Sequence, residues 1–206
     1  MPQVLKLTLH ERMLSAAEQV FAEAGYSSAT MASIAQRAGI STGNIYRYFD
    51  NKEALFSAIL PDAFADAFRR LLKRRLAGLV DASDVTELDQ EARVQADELL
   101  RFWIAHRLKV VIILDRAEGS RFADFGAEFV KDLLRATRTK LRKQHGVRQL
   151  SAPQELVLTN IFQNTRRSIV SILEACEDEA QIRAAVAAFW SYQLAGLAGF
   201  TKGVIS

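Results

Sequence analysis

Cysteine occurs once in the 206 residues, at Cys176, which excludes an intrachain disulfide framework and points to a reducing compartment. Its surroundings, SILEACEDEA, are acidic and disfavour a thiolate, so a redox-sensing role has little support. Long apolar runs are missing too. The longest unbroken one, Val110–Leu114, falls far short of the ~20 residues a membrane span needs. The first residues, MPQVLKLTLHER, lack the apolar core of a signal peptide. These absences predict a soluble, cytoplasmic protein with no membrane partner. Histidine is scarce and scattered, at His10, His106 and His145. No His-x-x-x-His, Cys-x-x-Cys, nucleophile elbow or phosphate-cradling glycine loop occurs, and Asp115 with Glu118 reads as a solvated turn. We therefore expect no enzyme activity, no metal and no cofactor. Internal repeats and low-complexity tracts are also absent. Positive charge is in small excess, a net +3, which suits a polyanionic partner only mildly. Within residues 1–60, Lys6, Arg12, Arg37, Arg47 and Lys52 are offset by Glu11, Glu18, Glu23, Asp50 and Glu53.

What is present is apolar residue at helical spacing. Half the chain is hydrophobic, enough for a sizeable core. The stretch Thr30–Leu55, TMASIAQRAGISTGNIYRYFDNKEAL, organises the rest. Thr30 caps a short helix whose buried stripe is Met31, Ile34, Ala35 and Ala38, and Gly39 ends it in a left-handed turn. Ser41 or Thr42 caps a second helix running to about Tyr48. Two helices joined by a short glycine-containing turn form a helix-turn-helix, whose second helix enters the DNA major groove by its N-terminal end. Ser41, Thr42, Gly43 and Asn44 let that end approach base edges, while Ile45 and Phe49 anchor its back. Tyr46, Arg47, Tyr48 and Lys52 are candidate phosphate donors, and Thr30 joins them at the entry to the pair. The expected partner is a double-stranded DNA operator.

A first helix ending FAEAGYSSAT, followed by MASIAQRAGISTGNIYRYFDNKEALF, resembles the DNA-binding domain of the tetracycline-repressor (TetR) family of bacterial transcription regulators. The resemblance runs from about Leu9 to Leu60. Thr42 and Asp50 depart from that family's pattern, and each departure weakens a phosphate contact. The resemblance implies an all-α protein with a three-helix N-terminal DNA-binding domain, residues 1–52. A larger helical bundle, residues 53–206, would bind ligand and dimerise. It also implies a homodimer, made through the last two helices of each subunit.

Elsewhere, residues 1–8 read as a loose arm, and a first helix covers about Leu9–Ala24. Asn51 caps a long helix at whose Pro61 either a kink forms or Leu60 ends one helix and Pro61 opens the next. The stripe runs through Ile59, Leu60, Phe64 and Phe68 without a phase break, which favours the kink. DASDVTE (residues 81–87) is a polar linker. Val110–Leu114 has no partner strand, so it reads as buried helix, and Asp115–Ser120 as a turn. A helix over about Phe122–Gln144 carries Phe122, Phe125 and Phe129 on one side and ends at Gly146. Capping boxes at Ser151/Gln154 and Asp178/Gln181 open the last two helices, the second apolar nearly all round. Phe102, Trp103 and His106 share one helix face; Asn160, Gln163, Asn164 and Arg167 interrupt another. With Phe122, Phe125 and Phe129 they form a candidate small-molecule site, an apolar pocket with a few polar groups. A ligand-responsive repressor on a palindromic operator is the expected function. An activator, a regulator without an inducer and an all-α enzyme remain open alternatives.

Overall fold

A computed structural model describes residues 8–81 and 90–205. Most of the expected arm (1–8) and of the expected linker (81–87) lies outside them. Among the described residues every regular element is helical: α1 (Leu9–Ser28), α2 (Met31–Ala38), α3 (Thr42–Ile45), α4 (Lys52–Ile59), α5 (Asp62–Asp81), α6 (Gln90–Ala105), α7 (Arg107–Val111), a π-helical turn (Ile112–Arg116), α8 (Phe125–His145), α9 (Ala152–Ala175) and α10 (Glu179–Ile205). The protein is all-α, as expected. It divides into two compact units, Met1–Ala65 with Leu108–Asp124, and Asp66–Arg107 with Phe125–Ser206.

In the first unit, local capping chemistry sets the helix ends. The Thr30 hydroxyl accepts from the Ser33 N–H at 3.0 Å and the Ser33 hydroxyl oxygen accepts from the Thr30 N–H at 3.1 Å, a reciprocal cap on α2. Gly39 ends α2 with φ 68°, where its missing side chain avoids strain. A Cβ there would also sit 3.2 Å from Nη2 of Arg12, which donates to the Ala38 carbonyl at 2.6 Å. Helix α1 runs past its expected end at Ala24 to Ser28, but bends at Gly25 (φ 78°, ψ 160°). The core consists of Phe21, Ile34, Ile45, Leu55, Phe56 and Leu60, all fully buried. Val110–Leu114 is equally buried and helical, as expected, and passes into the π turn.

Three expectations are corrected here. The long helix through Pro61 is two helices: α4 stops at Ile59, and Leu60 leaves the helical region with φ −117° and ψ 75°. The proline ring clashes with a helical residue before it, so the apolar stripe continues across a break in the backbone. Arg121 Nη2 donates to the freed Leu60 carbonyl at 2.8 Å, and the Pro61 carbonyl accepts the Phe64 N–H at 2.9 Å. The second helix of the helix-turn-helix is one turn, Thr42–Ile45, followed by tight turns through Tyr48. There Arg47 and Tyr48 N–H groups bond back three residues, to Asn44 and Ile45. The turn expected over Asp115–Ser120 instead starts at Ala117 and runs to Asp124, so α8 begins at Phe125 and Phe122 is not on it. Gly119 (φ 81°) and the Ser120 hydroxyl, which accepts the Phe122 N–H at 3.1 Å, hold that turn.

The second unit gathers its aromatic residues around Phe68, which is fully buried. The rings of Phe125, Phe102, Phe129 and Trp103 have centroids 5.3, 5.7, 6.2 and 6.3 Å from it. Side chains tie the helices at their edges: Arg138 holds Glu155 with two hydrogen bonds of 3.0 and 2.6 Å, joining α8 to α9. Arg183 reaches Asp97 at 2.8 Å, joining α10 to α6. The Asp178 carboxylate accepts the Gln181 N–H, and the Gln154 carbonyl accepts the Ser151 N–H, each at 2.8 Å, at the expected starts of α10 and α9.

Candidate nucleic-acid interface and apolar cavity

In the first unit, Ile45 (0% exposed) and Phe49 (8%) anchor α3 and the turns after it. Ser41, Thr42, Gly43 and Arg47 are exposed, Asn44 is half-buried, and Tyr46 and Tyr48 are 51% and 49% exposed. Two large aromatic side chains and a cation stand on a short polar element, over a fixed apolar base. Ser41 adds no side-chain cap, so the N–H groups at the start of α3 have no capping partner from it. Thr30 is exposed but its hydroxyl is engaged in the α2 cap.

Lys52 is engaged within the protein. Its ammonium donates to the carbonyls of Tyr26 at 2.6 Å and Ala29 at 3.0 Å, with Ser27 at 3.4 Å, and lies 4.3 Å from the centre of the Tyr26 ring. An ammonium has three protons, and the carbonyls around the α1–α2 junction take them, so Lys52 braces that junction. Its neighbour Glu53 accepts from the Tyr26 hydroxyl at 2.7 Å. Burial, then that hydrogen bond and the Glu53 charge, push the Tyr26 phenol up to about 12, so it stays a donor throughout the neutral range. Arg37 is likewise committed, to Glu23 at 2.8 and 2.6 Å. Of the basic residues between α2 and the start of α4, Arg47 alone is exposed without a protein partner among the described residues.

The second unit contains a cavity of about 500 Å³, within the range of small-molecule sites. Of the residues expected to bind ligand, Trp103 and Phe129 line it. Phe102, His106 and Phe125 lie in the same unit but are not among its lining residues. Phe102 and His106 pack ring to ring at 4.9 Å, and Phe125 under the Arg69 guanidinium at 4.8 Å. Asn160, Asn164 and Arg167 are exposed on α9. Phe122 belongs to the other unit, beneath the Arg121 guanidinium. The polar lining residues Arg75, Thr137, Lys140, Gln144 and Thr165 were not anticipated. Their signal was a polar residue interrupting an amphipathic helix at the phase of its apolar stripe, as at Thr165 between Phe162 and Ile169, where burial is complete.

Residues 13–59 match the family described as "Bacterial regulatory proteins, tetR family". The tetR-family match lies in this N-terminal segment. The chain is similar to the HTH-type transcriptional regulator BetI of Paraburkholderia phytofirmans, at 29% identity over 98 residues, 46% of this chain and 50% of that protein. It is 33% identical over 78 residues to the regulator HbdR of Aromatoleum sp., 38% of this chain and 33% of that protein. The chain thus spans half or less of the length of these curated relatives. A TetR-like transcriptional regulator from Rhodococcus sp. has the same fold, with TM-score 0.50 at 24% identity, over 96% of this chain and 100% of that one. No described helix is long and apolar enough to cross a membrane.

Within the tetR-family segment, the brace can be separated from a phosphate contact by substitution. Lys52→Met keeps the stem but leaves the Tyr26 and Ala29 carbonyls without their cation. We expect a loss of about 1.5–3 kcal/mol in urea-induced unfolding, the usual cost for hydrogen bonds to a charged group. The salt dependence of DNA binding should not change. A phosphate-binding lysine would give the reverse: unchanged stability and a salt slope shallower by about one.

Proposed function

We propose that this protein is a cytoplasmic transcriptional repressor, not an enzyme, that binds a palindromic DNA operator as a homodimer and releases it when a small molecule enters the second-unit cavity. The observation that carries this reading is the exposed Ser41–Tyr48 element on its buried Ile45–Phe49 base, inside the tetR-family match. Functionally we assign residues 1–52 to DNA and 53–206 to ligand binding and dimerisation. This division differs from the packing units because α4 completes the core under the helix-turn-helix. With so few free cations, affinity rests on Arg47, the tyrosine hydroxyls and helix N-termini. An effector coupling of about 1–3 kcal/mol changes operator affinity ~5–150-fold, enough for a switch.

Selection of bound sequences from random DNA tests the reading. Asn44→Ala should relax preference at one operator position, at a cost of about 1–3 kcal/mol there, because Asn44 lies on the leading turn. Tyr46→Phe should weaken all sequences alike, because the 51% exposed hydroxyl-bearing ring lies behind it. The opposite pattern would refute the assignment of the two residues.

Dimerisation is supported by what α9 and α10 leave uncovered. Tyr192 is 76% and Leu156 62% exposed, and a Cβ on Gly196, Gly199 or Gly203 would meet nothing within 4 Å. Gly196→Leu has room in its own subunit and raises helix propensity by up to about 1 kcal/mol. A second copy packed there would instead be overpacked, typically by about 1–3 kcal/mol. We expect the variant to melt no lower than wild type as a monomer, yet to sediment as a monomer where wild type is a dimer. A wild-type monomer at micromolar concentration would remove the homodimer.

A further inference from the structure

The second-unit cavity contains one donor without a protein partner and one cation without an ion pair, among the described residues. Trp103 is 2% exposed, and its indole N–H has no hydrogen-bond partner. Arg75 lies half-buried in the lining, and its Nη1 reaches only the Ala92 carbonyl, at a long 3.4 Å. It makes no ion pair among the described residues, and burial lowers its pKa with no carboxylate to offset the effect. Among the described lining residues the one acid, Asp97, is already held by Arg183 at 2.8 Å and by Arg101 at 2.7 Å. So the site offers an unpaired indole N–H and a weakly bonded cation, and its described carboxylate is already committed. Among the described lining residues a cationic effector would find no free counter-charge, whereas an anion would relieve a half-buried guanidinium.

The spacing of the two donors adds detail. Trp103 packs against Phe68, seven residues before Arg75 on α5, so the two levels differ by roughly 10 Å at the helical rise. Leu72, Leu76, Leu99 and Phe129 provide apolar wall. We propose that the effector is an amphipathic carboxylate: its carboxylate pairs with Arg75, its hydrocarbon chain lies along those apolar residues, and a second oxygen on the chain accepts the Trp103 N–H. The inference rests on the regulator reading for its consequence, but not for the binding itself.

Binding to the full-length protein without DNA is the test, by calorimetry and by fluorescence of Trp103 and Trp190, both in the lining. The probes are dodecanoate, 12-hydroxydodecanoate, dodecanol and dodecylammonium. The hydroxy acid should bind tightest, dodecanoate next, and dodecylammonium weakest. Arg75→Gln should weaken both carboxylates by about tenfold or more and leave dodecanol unchanged, which shows the cavity intact; Arg75→Lys should recover part of the loss. Trp103→Phe, read by Trp190 and calorimetry, should remove the advantage of the hydroxyl. Dodecylammonium binding as well as dodecanoate, or Arg75→Gln leaving the carboxylates unaffected, overturns the proposal. A hydroxyl that gives no gain in wild type overturns the role of Trp103. Carboxylate binding without any effect on a selected operator would leave the proposal standing and sink the regulator reading; operator binding with no carboxylate binding would do the reverse.

Discussion

Phe68→Ala is expected to destabilise the second unit by about 3–5 kcal/mol, the range for removing a buried phenylalanine side chain. Phe68 has no exposed surface, and four aromatic rings surround it within 6.3 Å. Truncation removes the shared ring partner of Phe102 and Trp103 on α6 and of Phe125 and Phe129 on α8. A domain is usually stable by only about 5–15 kcal/mol, so the loss is a large part of the total. Urea unfolding followed by tryptophan fluorescence reads it, because both tryptophans lie in this unit. A loss under about 1 kcal/mol would mean that the site collapses around the smaller side chain and that Phe68 is not its hub.

Phe56→Ala should cost about the same, ~3–5 kcal/mol, but in the first unit. Its ring is fully buried, 4.7 Å from Tyr26 and 5.2 Å from Phe21, both edge-on, with Phe122 at 6.4 Å. Phe56 stands on α4, while Phe21 and Tyr26 stand on α1, so the cluster sets α1 against α4 and holds the frame on which α2 and α3 rest. DNA binding should fall with stability, and Phe56→Leu, closer in volume, should restore most of both. If Phe56→Ala unfolds the unit less than Phe56→Leu does, or leaves DNA affinity at the wild-type value, the cluster does not support the interface.

These two residues also show how differently the units could be read. Phe68 was recognisable as part of an apolar stripe, but not as the centre of an aromatic cluster. Its neighbours come from stretches 34 to 61 residues away, Phe102 to Phe129, where spacing alone serves a ligand contact as well as a core contact. Of the expected ligand contacts only Trp103 and Phe129 line the cavity; the rest of that set is core, surface or, for Phe122, part of the other unit. Periodicity reports that a residue faces inward, and says nothing about whether it meets protein or empty space. Lys52 illustrates the same limit for a charge. A lysine after a recognition element reads as a phosphate donor, yet its acceptors lie 23 to 26 residues earlier, a distance over which no local pattern is informative.

By itself the sequence determined the all-α class, the caps at Thr30 and Asn51, the left-handed stops at Gly39 and Gly146, and the starts of α9 and α10. Each is a bond between residues three or four apart, or a backbone angle tolerated only by glycine, so neighbours along the chain suffice to specify it. Tertiary structure decided the rest. At Pro61 the sequence allowed a kink or a break, and the Arg121 guanidinium, bonded to the Leu60 carbonyl from 61 residues away, accompanies the break. The run Val110–Leu114 reads as buried helix from the sequence, but its passage into a π-helical turn at Ile112 appears only in the fold. Arg75 became a candidate ligand contact only because folding buried a guanidinium and supplied no described acid beside it. Local chemistry chooses between conformations of neighbouring residues; which distant groups a side chain meets, and therefore whether its charge is answered, is settled only when the chain packs.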